Sequence, residues 1–491
     1  NNFYSLGINI ERPIRNIVIG LGLQSEQSAF RSDSLESQSY GFDQYRGLIR
    51  NGDSSKFNYQ LTAAQRTDRL PKNEGFSTST IGRDIGFQSN YRSKKNQRID
   101  LSTIYRQLEI TDTTLSSTDI ENTLQSRLEL NLKFLKNLIR SRTFYEISTG
   151  QEQRREFQYL KVQPGNGVYV WNDYDSNGLK TLNEFEIASE LDRPRADHIK
   201  IFTPVAGFFT TQANRISQTL EINPAVFRKS RQKSIPFYSR LNSLTTLILD
   251  RKALPTDVGA FLNPFEQNLE DTSLINSSQN LRSTLFFNRG NSKYSLDYTY
   301  ISGNSKVLLT NGFDSRSNVE HVLNSRINLG RQFTLNTRLR GGEKLFESQF
   351  FTANNYQYSF LEVQPKLQVL FKQLYRIELL TKYFSAANEE AFGGETSESI
   401  EVGGNFKYAK ATKGTLDASA SFIRVNYDGS ASSNLGYELL RGLQDGNNAT
   451  WRLGYQRTLA NNIQVVLSYD GRKSEDAPII HLGRLVARYL F

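Results

Sequence analysis

Twelve consecutive residues carry the pattern best able to do chemistry. Asp173, Asp175 and Asn177 stand at alternate positions, Gly178 follows, and Glu184 closes the run. This is the spacing of a calcium loop. Side-chain oxygens at the first, third and fifth positions converge on a hard cation, and glycine at the sixth permits the sharp turn. A backbone carbonyl at the seventh and a hydroxyl at the ninth, direct or through water, add ligands, and a bidentate glutamate completes the shell. The predicted ligand set is therefore Asp173, Asp175, Asn177, Leu179, Thr181 and Glu184, with Ca2+ in a structural role. Lys180 occupies the eighth position, where paired loops carry an aliphatic residue, so an isolated loop of weak, millimolar affinity is expected. Residues 167–171 read as strand before it, and residues 184–191 as one or two helical turns after it. The competing reading of the same residues is a solvated, Asx-rich turn.

Other reactive constellations are weaker. Cys is absent, which removes disulfides and thiolate metal sites. His198, His321 and His481 are far apart, show no metal spacing, and read as surface or lumen residues. No nucleophile-elbow pattern appears. The adjacent Glu389 and Glu390 read as a solvated loop rather than an acid–base pair. The chain is expected not to be an enzyme.

The elements that must position these residues are strands. Of 491 residues 37% are apolar yet 12% are aromatic, too many rings for a disordered chain. No apolar run is long enough for a transmembrane helix. The net charge of +10 comes without a basic helix or zinc pattern, so nucleic acid is not an expected partner. The basic residues instead alternate with apolar ones. Ile463, Val465, Leu467 and Tyr469 alternate with Gln464, Ser468 and Asp470, and Tyr294, Leu296, Tyr298 and Tyr300 with Ser295, Asp297 and Thr299. Period two puts each set on one face of a strand.

Such strands also build soluble sandwiches and propellers, but three features point to a membrane. The segments run about 10–14 residues against a usual five or six. Their apolar faces are rich in Tyr and Phe, as in interfacial girdles. No blade repeat is evident. Strands are predicted at 3–12, 16–29, 38–50, 56–67, 81–92, 98–110, 121–134, 138–150, 211–223, 236–250, 278–289, 293–305, 317–330, 332–345, 355–371, 374–385, 397–410, 414–426, 449–459, 462–472 and 479–491. Short turns alternate with long loops, as periplasmic turns do with extracellular loops. The main exception is the basic connection 224–235.

The expected fold is all-β: a transmembrane, antiparallel, up-and-down β-barrel of about 22 strands in the bacterial outer membrane, in contact with lipid and lipopolysaccharide. Residues 151–210 form an extracellular insertion holding the calcium loop. The 21 predicted strands make an odd count, whereas closed bacterial barrels are even. Either a strand hides near Leu435 to Leu440 or one lies upstream of Asn1. The alternation of loop lengths favours the second, so residues 1–491 are expected to be the carboxyl-terminal part of a longer chain.

The last strand ends Arg488, Tyr489, Leu490, Phe491, with Ala487 and Leu485 alternating before it. It resembles the carboxyl-terminal insertion signal of outer-membrane proteins. Two further passages, Tyr169 to Asp175 with Asn183 to Glu186 and Ile201 to Pro204, and Tyr437 to Trp451, resemble large outer-membrane barrel proteins of the Bacteroidetes. That resemblance implies location and architecture more than activity, and an amino-terminal region before the barrel.

A lumen of this width needs filling, by loops such as 151–210 and 251–277, by an upstream region or by a partner protein. The first functional expectation is thus a plugged, non-enzymatic barrel within a multi-protein export or biogenesis assembly. A TonB-dependent-type nutrient-uptake barrel is the alternative, and a passive porin the third. Inward arginines such as Arg338, Arg340, Arg376 and Arg452 either line an anion-tolerant lumen or pair with inward acids such as Glu129, Asp417 and Asp470. Pairing is the preferred reading, because buried charges need partners.

Overall fold

The structure, a computed structural model, describes residues 2–489 except 32–34, 52–55, 94–96, 116–120, 174–177, 179, 182–183, 189–191, 229–235, 256–257, 266–272, 310–311, 411–413, 460–462 and 476. Phe491 therefore lies outside the described residues, as does most of the basic stretch 224–235.

The chain is all-β, antiparallel and up-and-down. Each of the 21 predicted segments contains a strand, although residues 237–240 of the segment 236–250 form a 3-10 turn and residues 490–491 lie outside the described residues. Two three-residue strands, β9 (Tyr169–Trp171) and β10 (Phe185–Ile187), lie within the insertion. Two short helices, α1 (Val258–Leu262) and α2 (Asn434–Leu440), lie in connections.

The chain divides into two compact units. In the first, β1 (Asn2–Ile14), β2 (Ile17–Ala29), β3 (Tyr40–Asn51), β4 (Phe57–Lys72), β5 (Gly75–Arg92), β6 (Arg98–Ile110), β7 (Glu121–Phe134) and β8 (Ile139–Lys161) each pair with the next. β8 then pairs with β11 (His198–Ile222). In the second, β14 (Tyr294–Leu309), β15 (Gly312–Leu329), β16 (Phe333–Ser348), β17 (Tyr356–Phe371) and β18 (Tyr375–Asn388) form one run of neighbours. The run continues through β19 (Thr396–Lys410), β20 (Gly414–Asp428), β21 (Gly446–Thr458), β22 (Ile463–Ser474) and β23 (Ile480–Tyr489). β12 (Leu241–Ala253) and β13 (Leu274–Phe287) contribute residues to both units.

Several predicted loops are largely strand. β4 and β5 stay paired to Lys72↔Gly75, and Asn73 turns the chain in the left-handed region at φ 55°. β8 and β11 stay paired to Lys161↔His198. Strands that leave the membrane no longer need an apolar outer face, so the alternation fades from the sequence while the backbone ladder, which spares N–H and C=O groups from going unpaired, continues.

β20 shows where that boundary falls. Leu416, Ala418, Ala420 and Phe422 form its outer face, and Thr415, Asp417, Ser419 and Ser421 its inner one. Past Phe422 (53% exposed) the faces exchange character. Arg424, Asn426 and Asp428 are exposed, while Ile423 (8% exposed), Val425 and Tyr427 are buried. The apolar surface at this end therefore lies on the inner side of the wall.

Close packing within the wall is sharpest at Gly342, which sits opposite Glu320 and Phe360. A Cβ there would lie 2.0 Å from the backbone oxygen of Val319 and 2.9 Å from the Cα of Glu320. Backbone atoms of a paired strand cannot step aside as a side chain can. Gly342→Ala is expected to destabilise the folded protein by about 3 kcal/mol, read as a lowered urea midpoint in detergent. An unchanged midpoint would show that β15 yields at little cost.

Candidate functional site

The described residues of the calcium loop sit at the end of a small hairpin in the first unit. β9 and β10 pair with Phe185 opposite Trp171 and Ile187 opposite Tyr169. The helical turns expected after Glu184 are thus replaced by strand β10. Phe185 stacks on Tyr159 of β8 at 4.0 Å between ring centroids, and this contact from distant sequence holds it extended.

Inside the loop, the Asp173 carboxylate accepts the Gly178 N–H at 2.9 Å. Glu184 Oε2 accepts the Thr181 N–H and the Trp171 indole N–H, each at 3.0 Å. These bonds, the Thr181 backbone first and the indole next, hold the buried Glu184 carboxyl below its ordinary range against the effect of burial. Lys180 donates to His198 Nε2 at 2.9 Å, and His198 Nδ1 in turn donates to Asp197 at 2.7 Å. The lysine at the anomalous eighth position thus ties the loop to β11. Of the six predicted ligands, Thr181 and Glu184 are hydrogen-bonded to each other and Asp173 is bonded to Gly178, whereas Asp175, Asn177 and Leu179 lie outside the described residues. Among the described residues no group of three His, Cys, Asp or Glu side chains is arranged to hold a metal.

Of the three histidines, His198 departs from the expected surface or lumen position and is buried. His321 is hydrogen-bonded to the Tyr298 hydroxyl at 2.7 Å and His481 to that of Tyr469 at 2.8 Å. These last two pairs lie on outer strand faces, in line with Leu323 and Leu485 of their own strands, and belong to an aromatic belt rather than to a lumen.

A second site was not legible as a motif. In the second unit, α2 starts at Ser433, whose hydroxyl accepts the Gly436 N–H at 2.9 Å, and ends at Arg441 in the left-handed region. Its Leu435, Leu439 and Leu440 are buried with Tyr358, Phe360, Phe384, Ala386, Ile423, Val425 and Tyr427, the apolar inner surface of β17, β18 and β20. Its polar residues meet a row of charges on the same wall. Lys344 of β16 donates to Glu438 at 2.6 Å, and the Tyr358 hydroxyl donates to it at 3.2 Å. Burial opposes ionisation of Glu438, but Lys344 with help from Tyr358 and Arg441 holds its carboxyl below the ordinary value. Arg441 reaches Glu362 at 3.3 Å and lies over the Phe384 ring at 4.2 Å.

From Glu362 the charges continue sideways. Lys382 is 3.9 Å from Glu362 and 4.0 Å from Glu401, and Arg340 binds Glu320 through two hydrogen bonds of 2.8 and 2.6 Å. The preferred pairing of inward arginines thus holds for Arg340 and, with Asp470, for Arg452. Asp417 instead faces Lys407 and Gly454 across the ladder, and Arg376 faces Lys407.

Long antiparallel strands, apolar on one face over the membrane span and polar on the other, with aromatic residues near the ends, define the class: this is a bacterial outer-membrane β-barrel protein. No protein-family model matches the chain, and no curated protein does. Among solved structures it is similar to the outer membrane transporter YddB from Escherichia coli, at 9% identity and TM-score 0.39, covering 99% of this chain and 74% of that one. It is also similar to the FrpB iron transporter from Neisseria meningitidis, at 8% identity and TM-score 0.38, covering 96% and 74%. The copper transporter OprC matches at 9% identity and TM-score 0.38, over 95% and 73%.

Proposed function

We propose that the protein is a selective, non-enzymatic outer-membrane transport barrel of the nutrient-uptake kind, gated at its outer end by the segment 429–445. The observation that carries this reading is the docking of α2 on the inner wall, with three buried leucines and ion pairs from Glu438 and Arg441. A passive porin keeps a hydrated wall at its mouth. Here the wall is apolar at that end and a helix covers it. The connection bearing α2 belongs to the long-loop side, which in such barrels is extracellular, so a solute arriving from outside meets this segment first. No described feature favours the export or biogenesis assembly expected first from the sequence. An upstream plug and kinship with the large Bacteroidetes barrels, on the two passages quoted above, remain part of the proposal.

The test is conductance across planar bilayers. The chain as it stands is expected to be nearly silent, and replacement of 430–444 by a short Gly-Ser linker to raise conductance at least about tenfold. A folded, inserted deletion variant as silent as the parent would sink the gate.

Calcium is a second, structural proposal, supported by the predicted spacing and by the placement of Asp173 and Glu184. The Glu184 carboxylate carries the Trp171 indole bond, so Ca2+ drawing on Glu184 is expected to shift Trp171 emission. Half-saturation should fall in the millimolar range, roughly 0.1–1 mM. Trp451→Phe removes the other indole, and Glu184→Gln is expected to abolish the response. A titration with no saturable change would leave the loop as an Asx-rich turn.

A further inference from the structure

Further toward the short-turn end, the inner wall of the second unit loses its charge balance. Two residues from Arg340 on the same face of β16, Arg338 stands between Asn324 and Gln364 rather than beside an acid. Arg326 lies between Ser295 and Asn336. With Lys366 and Arg289, these side chains line a pocket of 520 Å³ in which Asp297 is the one acid among the described lining residues. Lys366 is engaged by Glu378 at 3.1 Å, and Arg289 lies over the Phe286 ring at 4.3 Å. Arg326 donates to the backbone carbonyl of Asn291 at 3.0 Å, but its Nε is buried with no hydrogen-bond partner among the described residues, and so is Asp297 Oδ1.

Several cations elsewhere on this wall are matched, Arg340 by Glu320, Lys382 by Glu362 and Glu401, and Arg452 by Asp470. Arg326 is partly buried and its buried Nε lacks a hydrogen-bond partner among the described residues, a donor costly to keep unless an acceptor joins it, while the exposed Arg338 opens onto the same pocket with amides as its ladder neighbours. Guanidinium forks beside carboxamide N–H donors are suited to oxyanions, and the volume falls within the range of small-molecule sites. We propose that this pocket binds a small solute bearing two or more oxyanion groups, carboxylate or phosphate, with Arg338 and Arg326 as its principal ligands. That this solute is the cargo rests on the transport reading; that the pocket binds it does not.

The test uses the full chain in detergent, titrated calorimetrically with citrate and, separately, with pyrophosphate. Saturable binding of at least one is expected, weakening as salt screens it. The preferred probe decides between carboxylate and phosphate. Arg338→Gln should weaken that binding about tenfold or more, Arg338→Lys should weaken it less, and Arg452→Gln, whose guanidinium is occupied by Asp470, should leave it unchanged. Native folding of each variant is checked by heat-modifiable gel mobility. Failure of the folded parent to bind either anion, or equal affinity in Arg338→Gln, would overturn the site. Anion binding without any conductance response to loss of α2 would retain the pocket and remove the gate.

Discussion

Leu439→Asp is expected to open the barrel. Leu439 is 3% exposed and packs within the cluster formed by α2 and the inner wall. Full burial of a leucine contributes about 1.5–3 kcal/mol, and an unpaired carboxylate in the same place costs several more. A seven-residue helix has no stability of its own, so α2 must unfold when it undocks. Conductance should rise about as much as in the loop deletion, and trypsin should cut after Arg441 at least about tenfold faster. Tyr437→Asp is the control, because that side chain is 78% exposed and stands away from the wall; both readouts should stay at the parent level. A silent, protease-resistant Leu439→Asp protein would mean that α2 is ornament to the wall and not its closure.

Arg340→Gln should produce the largest loss of stability of any single change in the charge row. Glu320 is 7% exposed and takes two hydrogen bonds from the Arg340 guanidinium. Removing the cation leaves a carboxylate held inside the wall with its partner gone, a change that costs about 3–5 kcal/mol. Substituting both residues, Glu320→Gln with Arg340→Gln, replaces the ion pair by two neutral amides and should recover most of that loss. Urea unfolding of the two single variants and the double variant closes the thermodynamic cycle, and a coupling of at least about 2 kcal/mol is expected. Additive effects within about 0.5 kcal/mol would show that the pair is hydrated and not a structural unit.

All 21 strands could be read in advance because the constraint that makes them is local. Lipid on one side and a polar wall on the other force alternate residues to opposite character, wherever the partner strands lie. The strand ends escaped, as at 68–80, because water imposes no such alternation once the hairpin has left the membrane. The calcium spacing is likewise local. Its flanking strand β10 is not, since Phe185 is held by Tyr159 from β8.

Partners required the fold. Alternation marks Arg338, Arg340 and Arg452 equally as inward, but only register places Glu320 beside Arg340, Asp470 beside Arg452, and amides on both sides of Arg338. Residues 435–440 show the division most plainly. Six mostly apolar residues satisfy a strand period or a helical one about equally well, and the sequence offers no reason for choosing. The choice is made by Phe360, Phe384, Ile423 and Tyr427, brought from three strands to one apolar surface that a short helix can cover. Composition and periodicity thus settle that the chain crosses a membrane as strands, because solvent acts on each residue separately. Which charges pair, and what covers the wall, depends on side chains far apart in the chain, and those meet only when the sheet has formed.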